Sequence, residues 1–121
     1  MNDVGIIWDP SKGVFSIKLF TSLKRITSLD EAITQGFEIA IFDDGLQDYS
    51  IKHNVNLVCF NNLNWIGNGM TIPSGPLRES LNNIKKYNHV FLNGNDENLS
   101  NIKSEILNIN PFINIYEGKY V

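Results

Sequence analysis

Apolar and polar positions change rhythm several times along the chain, and each rhythm points to an element. Val4 to Trp8 is a short apolar run. Asp9-Pro10-Ser11-Lys12-Gly13 follows it as a turn, because proline presets φ and glycine permits positive φ. Val14 to Phe20 alternates with the period of a strand, Val14, Ser16 and Lys18 against Phe15, Ile17 and Leu19. Ser28-Leu29-Asp30-Glu31 has the form of a capping box, with Leu29, Ala32 and Ile33 at helical spacing behind it. Gly36 stands where a left-handed cap ends a helix, so a helix is expected over about Leu29 to Gln35. Dense apolar runs at Phe37–Phe42, Val55–Phe60, His89–Leu92 and Phe112–Tyr116 read as buried strands. Leu77–Tyr87, with Pro76 at its first turn, reads as a helix. So does Glu97–Asn108, capped by Asp96 and striped by Leu99, Ile102, Ile106 and Leu107.

Buried strands alternating with helices predict an α/β fold, a mainly parallel sheet with helices on its faces. At 121 residues a single domain is expected. Hydrophobic residues at 42% and charged residues at 19% place the chain among globular proteins. A net charge of -3 argues against a nucleic-acid binder, whose footprint would be basic. The single cysteine, Cys59, excludes a disulfide framework, and its place in an apolar strand predicts an inert core thiol. No apolar run approaches the roughly 20 residues that span a bilayer, and no signal peptide opens the chain, so a cytoplasmic location is expected.

Ligands of open α/β sheets bind beyond the carboxyl ends of strands. After Phe42 come Asp43-Asp44-Gly45-Leu46-Gln47. Adjacent carboxylates repel, and a hard cation such as Mg²⁺ relieves that repulsion, as in a Walker B strand. The same residues are equally good turn chemistry. If both stay extended, Asp43 and Asp44 point to opposite faces. The long segment after Phe60 carries Gly67-Asn68-Gly69, where backbone can approach a ligand closely, and then Pro73-Ser74-Gly75-Pro76-Leu77-Arg78-Glu79. Arg78 could fork onto a phosphate. Glu79 could be a metal ligand or a favourable charge in a first helical turn. Taken in isolation, an ordinary loop and helix start is the simpler account of this stretch. His53 and His89 have no partner spacing for zinc or a triad, and Lys85-Lys86 reads as a solvated helix face. Trp65, beside the glycine loop, is the more interesting of the two tryptophans. No G-x-x-x-x-G-K-[ST] phosphate cradle occurs.

FEIAIFDDGLQDYS (37–50), NVNLVCF (54–60), GNGMTIPSGPLRESL (67–81) and YNHVFLNG (87–94) resemble the tetraacyldisaccharide 4'-kinase family. The resemblance runs from about Arg25 to Tyr116. It implies a P-loop-kinase-like, Rossmann-type three-layer half. It further implies an ATP- and Mg²⁺-dependent lipid kinase that phosphorylates the 4' hydroxyl of the lipid A disaccharide precursor at the cytoplasmic face of the bacterial inner membrane. By that resemblance Asp43, Asp44 and Glu79 handle the metal, Gln47 and Arg78 position substrate or phosphate, and Gly67, Asn68 and Gly69 form the glycine loop. Asp48 departs from the family, which commonly has histidine or asparagine there. The family also carries a membrane-anchoring helix, a P-loop and a Gly-Asp-Glu segment with a proposed base, none of which matches these residues. The chain is therefore expected to be the central part of a longer kinase, inactive by itself. The alternative is a non-catalytic binding or assembly module, a homodimer paired through its sheet edges.

Overall fold

Strand β1 (Asn2–Asp9) pairs antiparallel with β2 (Val14–Thr21) on one side and with β3 (Ile39–Phe42) on the other. This sheet, with helix α1 (Arg25–Thr34), belongs to one compact unit, Met1–His53. A second unit, Asn54–Val121, holds β4 (Leu57–Asn61), a 3-10 helix (Leu81–Lys86), β5 (His89–Gly94), α2 (Leu99–Ile109) and β6 (Asn114–Lys119). The computed structural model describes residues 2–9, 13–94 and 97–119. Residues 10–12 of the expected turn and Asp96, the expected cap, lie outside them.

The second unit is the parallel α/β piece that the alternation predicts. Its strands run in the order β4-β5-β6, every pair parallel. Neighbours in sequence are neighbours in the sheet. Crossovers of one hand therefore bring the 3-10 helix and α2 onto the same face. There Ile84, Val90, Leu92, Ile102, Ile106 and Ile113 form a buried cluster, flanked by Val58, Phe60, Trp65 and Ile115. Strand alternation explains the choice of residues. Val58 and Phe60, Val90 and Leu92, and Ile115 turn to the helices, whereas Leu57, Cys59 and Tyr116 turn away and are exposed. Cys59 is thus a surface thiol and not a core one, because only one face of its edge strand is covered.

Several expected boundaries shift. Phe112 is exposed and β6 begins at Asn114, while β4 begins at Leu57 with Val55 exposed before it. The α2 stripe is Leu99, Ile102 and Ile106. Leu107 is largely exposed, since Ile106 already occupies the buried direction on that turn. The helix expected over Leu77–Tyr87 shrinks to one 3-10 segment. Leu77 is instead tied back, its amide donating to the Met70 carbonyl and its carbonyl accepting from Ile72. The remaining Leu-Asn-Asn-Ile-Lys-Lys run has two asparagines, weak helix formers. Asn110 Nδ2 donates to the Ile84 and Tyr87 carbonyls at 3.1 and 3.0 Å, adding to the Tyr87 amide's bond to Ile84 and tying down the end of the short helix.

In the first unit β3 starts at Ile39 and runs antiparallel to β1, where a place in a parallel sheet was expected. Ile39 and Ile41 are about half exposed, as is Leu19 on β2, and Ile17 is about two-thirds exposed, so this face of the sheet is uncovered. The other face packs on α1 through Phe20 and Ala32, with Phe37 edge-on to Phe20 at 5.4 Å. Helix α1 begins a turn earlier than the capping box predicts. Lys24 is its N-cap, with no side-chain cap bond, and Ser28 lies inside the helix, 2% exposed, its Oγ 2.8 Å from Ser22 Oγ. Its end follows prediction. Gly36 sits at φ +82°, with Gly36 N–H donating to Ile33 and Phe37 N–H to Ala32, the two bonds of a Schellman motif.

Candidate functional site

The acidic turn is built from β3 outward. Beyond Phe42 the chain does not stay extended, for Asp44 adopts φ +54°. Asp tolerates this left-handed state better than most residues. The opposite-face arrangement expected of two extended aspartates therefore does not arise, and both side chains are exposed in one turn. Gly45 is required for a different reason. A Cβ there would sit 2.9 Å from Phe42 Cβ and 3.4 Å from His53 Nε2. His53 stacks edge-on to Phe42 at 5.5 Å, and its Nε2 is buried without a hydrogen-bond partner among the described residues.

The turn is held from α1. Arg25, only 7% exposed, donates from Nη2 to the Asp43 carbonyl at 2.8 Å and to the Asp44 carbonyl at 3.2 Å. Its Nη1 lies 3.7 Å from Asp48 Oδ2. Asp48 also accepts from the Ser50 hydroxyl at 2.5 Å and the Ser50 amide at 3.0 Å. These two bonds above all hold the Asp48 carboxyl below the usual carboxylate range; desolvation opposes them, and the Arg25 charge adds a smaller lowering. Gln47 is exposed on the same turn. Neither Arg25 nor His53 is legible as part of this turn in the sequence. The one available signal is a lone arginine just before the apolar helical residues.

The second unit carries the other candidates. Gly67 and Gly69 take φ +59° and +73°, and a Cβ on Gly67 would meet Pro76 Cγ at 2.9 Å. Asn68 knits the loop, its Nδ2 donating to the Ser74 carbonyl at 2.8 Å and its Oδ1 accepting from the Met70 amide at 3.1 Å. The Ile72–Pro73 peptide is cis. Gly69 to Ser74 and Ser80 line an open hollow of about 460 Å³. Trp65 packs on Phe60 at 4.9 Å and donates from Nε1 to Glu105 at 2.9 Å, so it fastens the loop to α2. Glu79 precedes the 3-10 helix, whereas a place in a first helical turn was expected. Its carboxylate is partly buried and accepts from Asn83 Nδ2 at 2.8 Å and Tyr87 Oη at 3.3 Å. Arg78 beside it is exposed.

Among the described residues no three His, Cys, Asp or Glu side chains gather into a metal cage. The donor set of the turn nonetheless suits a hard cation. Mg²⁺ takes one or two carboxylates and completes its shell with water and phosphate oxygens, and Asp43 and Asp44 offer exposed carboxylates on a pinned backbone. A triphosphate is another matter, since the glycine-rich cradle with its lysine is not among these 121 residues.

The parallel sheet with its helices defines an α/β protein. Comparison with known proteins narrows this. The model of the LpxK family, tetraacyldisaccharide-1-P 4'-kinase, matches residues 13–117, and the chain belongs to that family. It is 67% identical over 103 residues to the tetraacyldisaccharide 4'-kinase of Pelagibacter ubique (strain HTCC1062), covering 85% of this chain and 33% of that protein. It is 41% identical over 73 residues to the enzyme of the same name from Colwellia psychrerythraea, covering 60% of this chain and 21% of that protein. With that of Wigglesworthia glossinidia brevipalpis it is 35% identical over 81 residues, covering 67% and 22%. The chain thus spans about a third or less of the length of these curated relatives. No solved structure matches. No helix among the described residues is long and apolar enough to cross a membrane.

Proposed function

We propose that these residues supply the metal-facing and phosphate-facing part of an ATP-dependent kinase acting on the 4' hydroxyl of the lipid A disaccharide precursor. The family match over residues 13–117 supports the activity. The single structural observation that carries the site reading is the turn after β3, where a buried arginine grips the backbone and two carboxylates are exposed. Asp43 and Asp44 would hold Mg²⁺; Glu79, in the second unit, is a separate candidate for the metal. The ion, when bound, neutralises charge on the phosphoryl oxygens. The chain's own residues do the positioning. Arg78 and Gln47 orient phosphate or the disaccharide, Asn68 keeps Gly67 and Gly69 in the conformation that lets backbone approach a ligand, and Asn83 and Tyr87 fix the Glu79 carboxylate.

The test is a chimera. Alone, the 121-residue polypeptide is expected to transfer no phosphoryl group from ATP to the lipid disaccharide, since it has no phosphate cradle. Exchanged for the matching segment of the Pelagibacter kinase, it is expected to support transfer. Asp43→Asn or Asp44→Asn in the chimera should then lower kcat by about 10²-fold or more. Retention of full activity by both variants would overturn the site assignment. A second reading, a non-catalytic assembly module that dimerises, draws on the uncovered face of the parallel sheet at Leu57, Cys59 and Tyr116, because such sheets are ordinarily covered on both faces. Light scattering decides it. A dimer together with an inactive chimera favours the module.

A further inference from the structure

We propose that Arg25 is the positioning residue of the acidic turn: by binding the carbonyls of Asp43 and Asp44 it sets the direction of the two carboxylates and thereby the turn's hold on a divalent cation. The inference rests on the reading that this turn binds metal. Successive carbonyls of an extended chain point to opposite sides. Here both meet one guanidinium nitrogen, at 2.8 and 3.2 Å, and the left-handed φ of +54° at Asp44 is what brings them together. That conformation is disfavoured for an L-residue, if less so for Asp, and the two bonds from Arg25 hold it.

A charge as buried as that of Arg25 needs partners. Two of its hydrogen bonds go to backbone oxygens of the turn, and the side chains of Asp43 and Asp44 are exposed. Asp48, 3.7 Å from Nη1 and itself gripped by Ser50, closes the arrangement from the other side. Residues 43 to 50 therefore wrap one guanidinium. A planar fork is needed, since two nitrogens at fixed separation serve the carbonyls and Asp48 at once, which a lysine cannot reproduce.

The experiment uses the 121-residue chain, Mn²⁺ alone as probe, and water-proton relaxation to read its affinity, with carbonyl chemical shifts of Asp43 and Asp44 read in parallel. Arg25→Lys is expected to move both carbonyl shifts and weaken Mn²⁺ binding about 10-fold, the usual effect of removing a group that orients metal ligands, with helix content by circular dichroism unchanged. In Arg25→Ala, added ethylguanidine is expected to restore binding. A merely structural arginine would show neither the affinity loss in a folded chain nor the rescue. Mn²⁺ affinity within twofold of the parent in both variants, while Asp43→Asn with Asp44→Asn abolishes binding, overturns the positioning role and leaves the metal reading standing. If that double variant binds as the parent does, the metal reading fails and this inference falls with it. Should the Arg25 variants not fold, Asp48→Asn keeps the guanidinium in place but loosens it. About threefold weaker binding supports the role, and unchanged affinity overturns it.

Discussion

The acidic turn of the first unit and the glycine loop of the second solve the same problem with different chemistry. Each holds backbone in left-handed conformations beside candidate site residues. The turn is pinned by a buried charge from another element, Arg25, backed by the Asp48 carboxylate. The loop is pinned by a neutral amide of its own, Asn68, and the chain just after it by another, Asn110. The surroundings differ in the same sense. The second unit buries six aliphatic side chains in one cluster. In the first, the buried residues with described side chains include Arg25 and Ser28 beside Phe20 and Ala32. Where apolar burial is plentiful, neutral hydrogen bonds suffice for the loops. Where the described side chains bury a charge, an ionic contact takes a share, and with it comes sensitivity to pH.

The contrast can be broken at four points. The largest effect is expected from Ile106→Ala, because Ile106 is fully buried in the aliphatic cluster. A loss of about 2–5 kcal/mol should appear as a lower urea midpoint for the second unit, and a loss below 1 would mean that the cluster is not its main support. Asn110→Ala removes both donors to the 3-10 helix and should cost about 1–3 kcal/mol, equally at pH 6 and pH 3, since no charge is involved. Gly36→Ala forces a Cβ onto φ +82° and should lower the stability of the first unit by about 1–2 kcal/mol, visible as faster amide exchange at Phe37.

The smallest and most diagnostic effect concerns Asp48. Its carboxyl is held below its ordinary value of about 3.9, so its contribution is complete above that value and is lost as pH falls through the lower folded one. The difference in urea midpoint between the parent and Asp48→Asn should therefore shrink from pH 6 to pH 3. A difference that grows with acid would reverse the sign and remove the ionic half of the contrast.

What the sequence could show follows the same division. Local rules succeeded where local forces decide. Gly36 ends α1 as a Schellman glycine, the α2 stripe at i, i+3 and i+4 spacing faces the core, and the alternation of Val14–Phe20 is a strand. They failed where a distant contact outweighs them. Ser28 has the neighbours of a helix cap yet sits inside α1, buried with its Oγ against Ser22, while the helix begins at Arg25, whose guanidinium bonds the Asp43 carbonyl 18 residues on. Leu77 has helical spacing to Leu81 and Ile84 but is captured by Met70 and Ile72 in a closed loop. Apolar runs at Phe37–Phe42 and Val55–Phe60 announced strands correctly but not how many of their faces are covered, since hydropathy carries no information about which neighbours arrive. The acids at 43 and 44 were legible as a pair. The twist between them was not, since the Arg25 that bonds both carbonyls lies 18 residues away in the chain.

The alternation along β4 gives the lone thiol a practical use. Val58 and Phe60 point into the aliphatic cluster, so the residue between them projects from the opposite side of the sheet. A fluorophore attached at Cys59 would leave the packed interior undisturbed. Its emission would shift only when another surface settles over that bare side, which makes position 59 a built-in sensor of assembly.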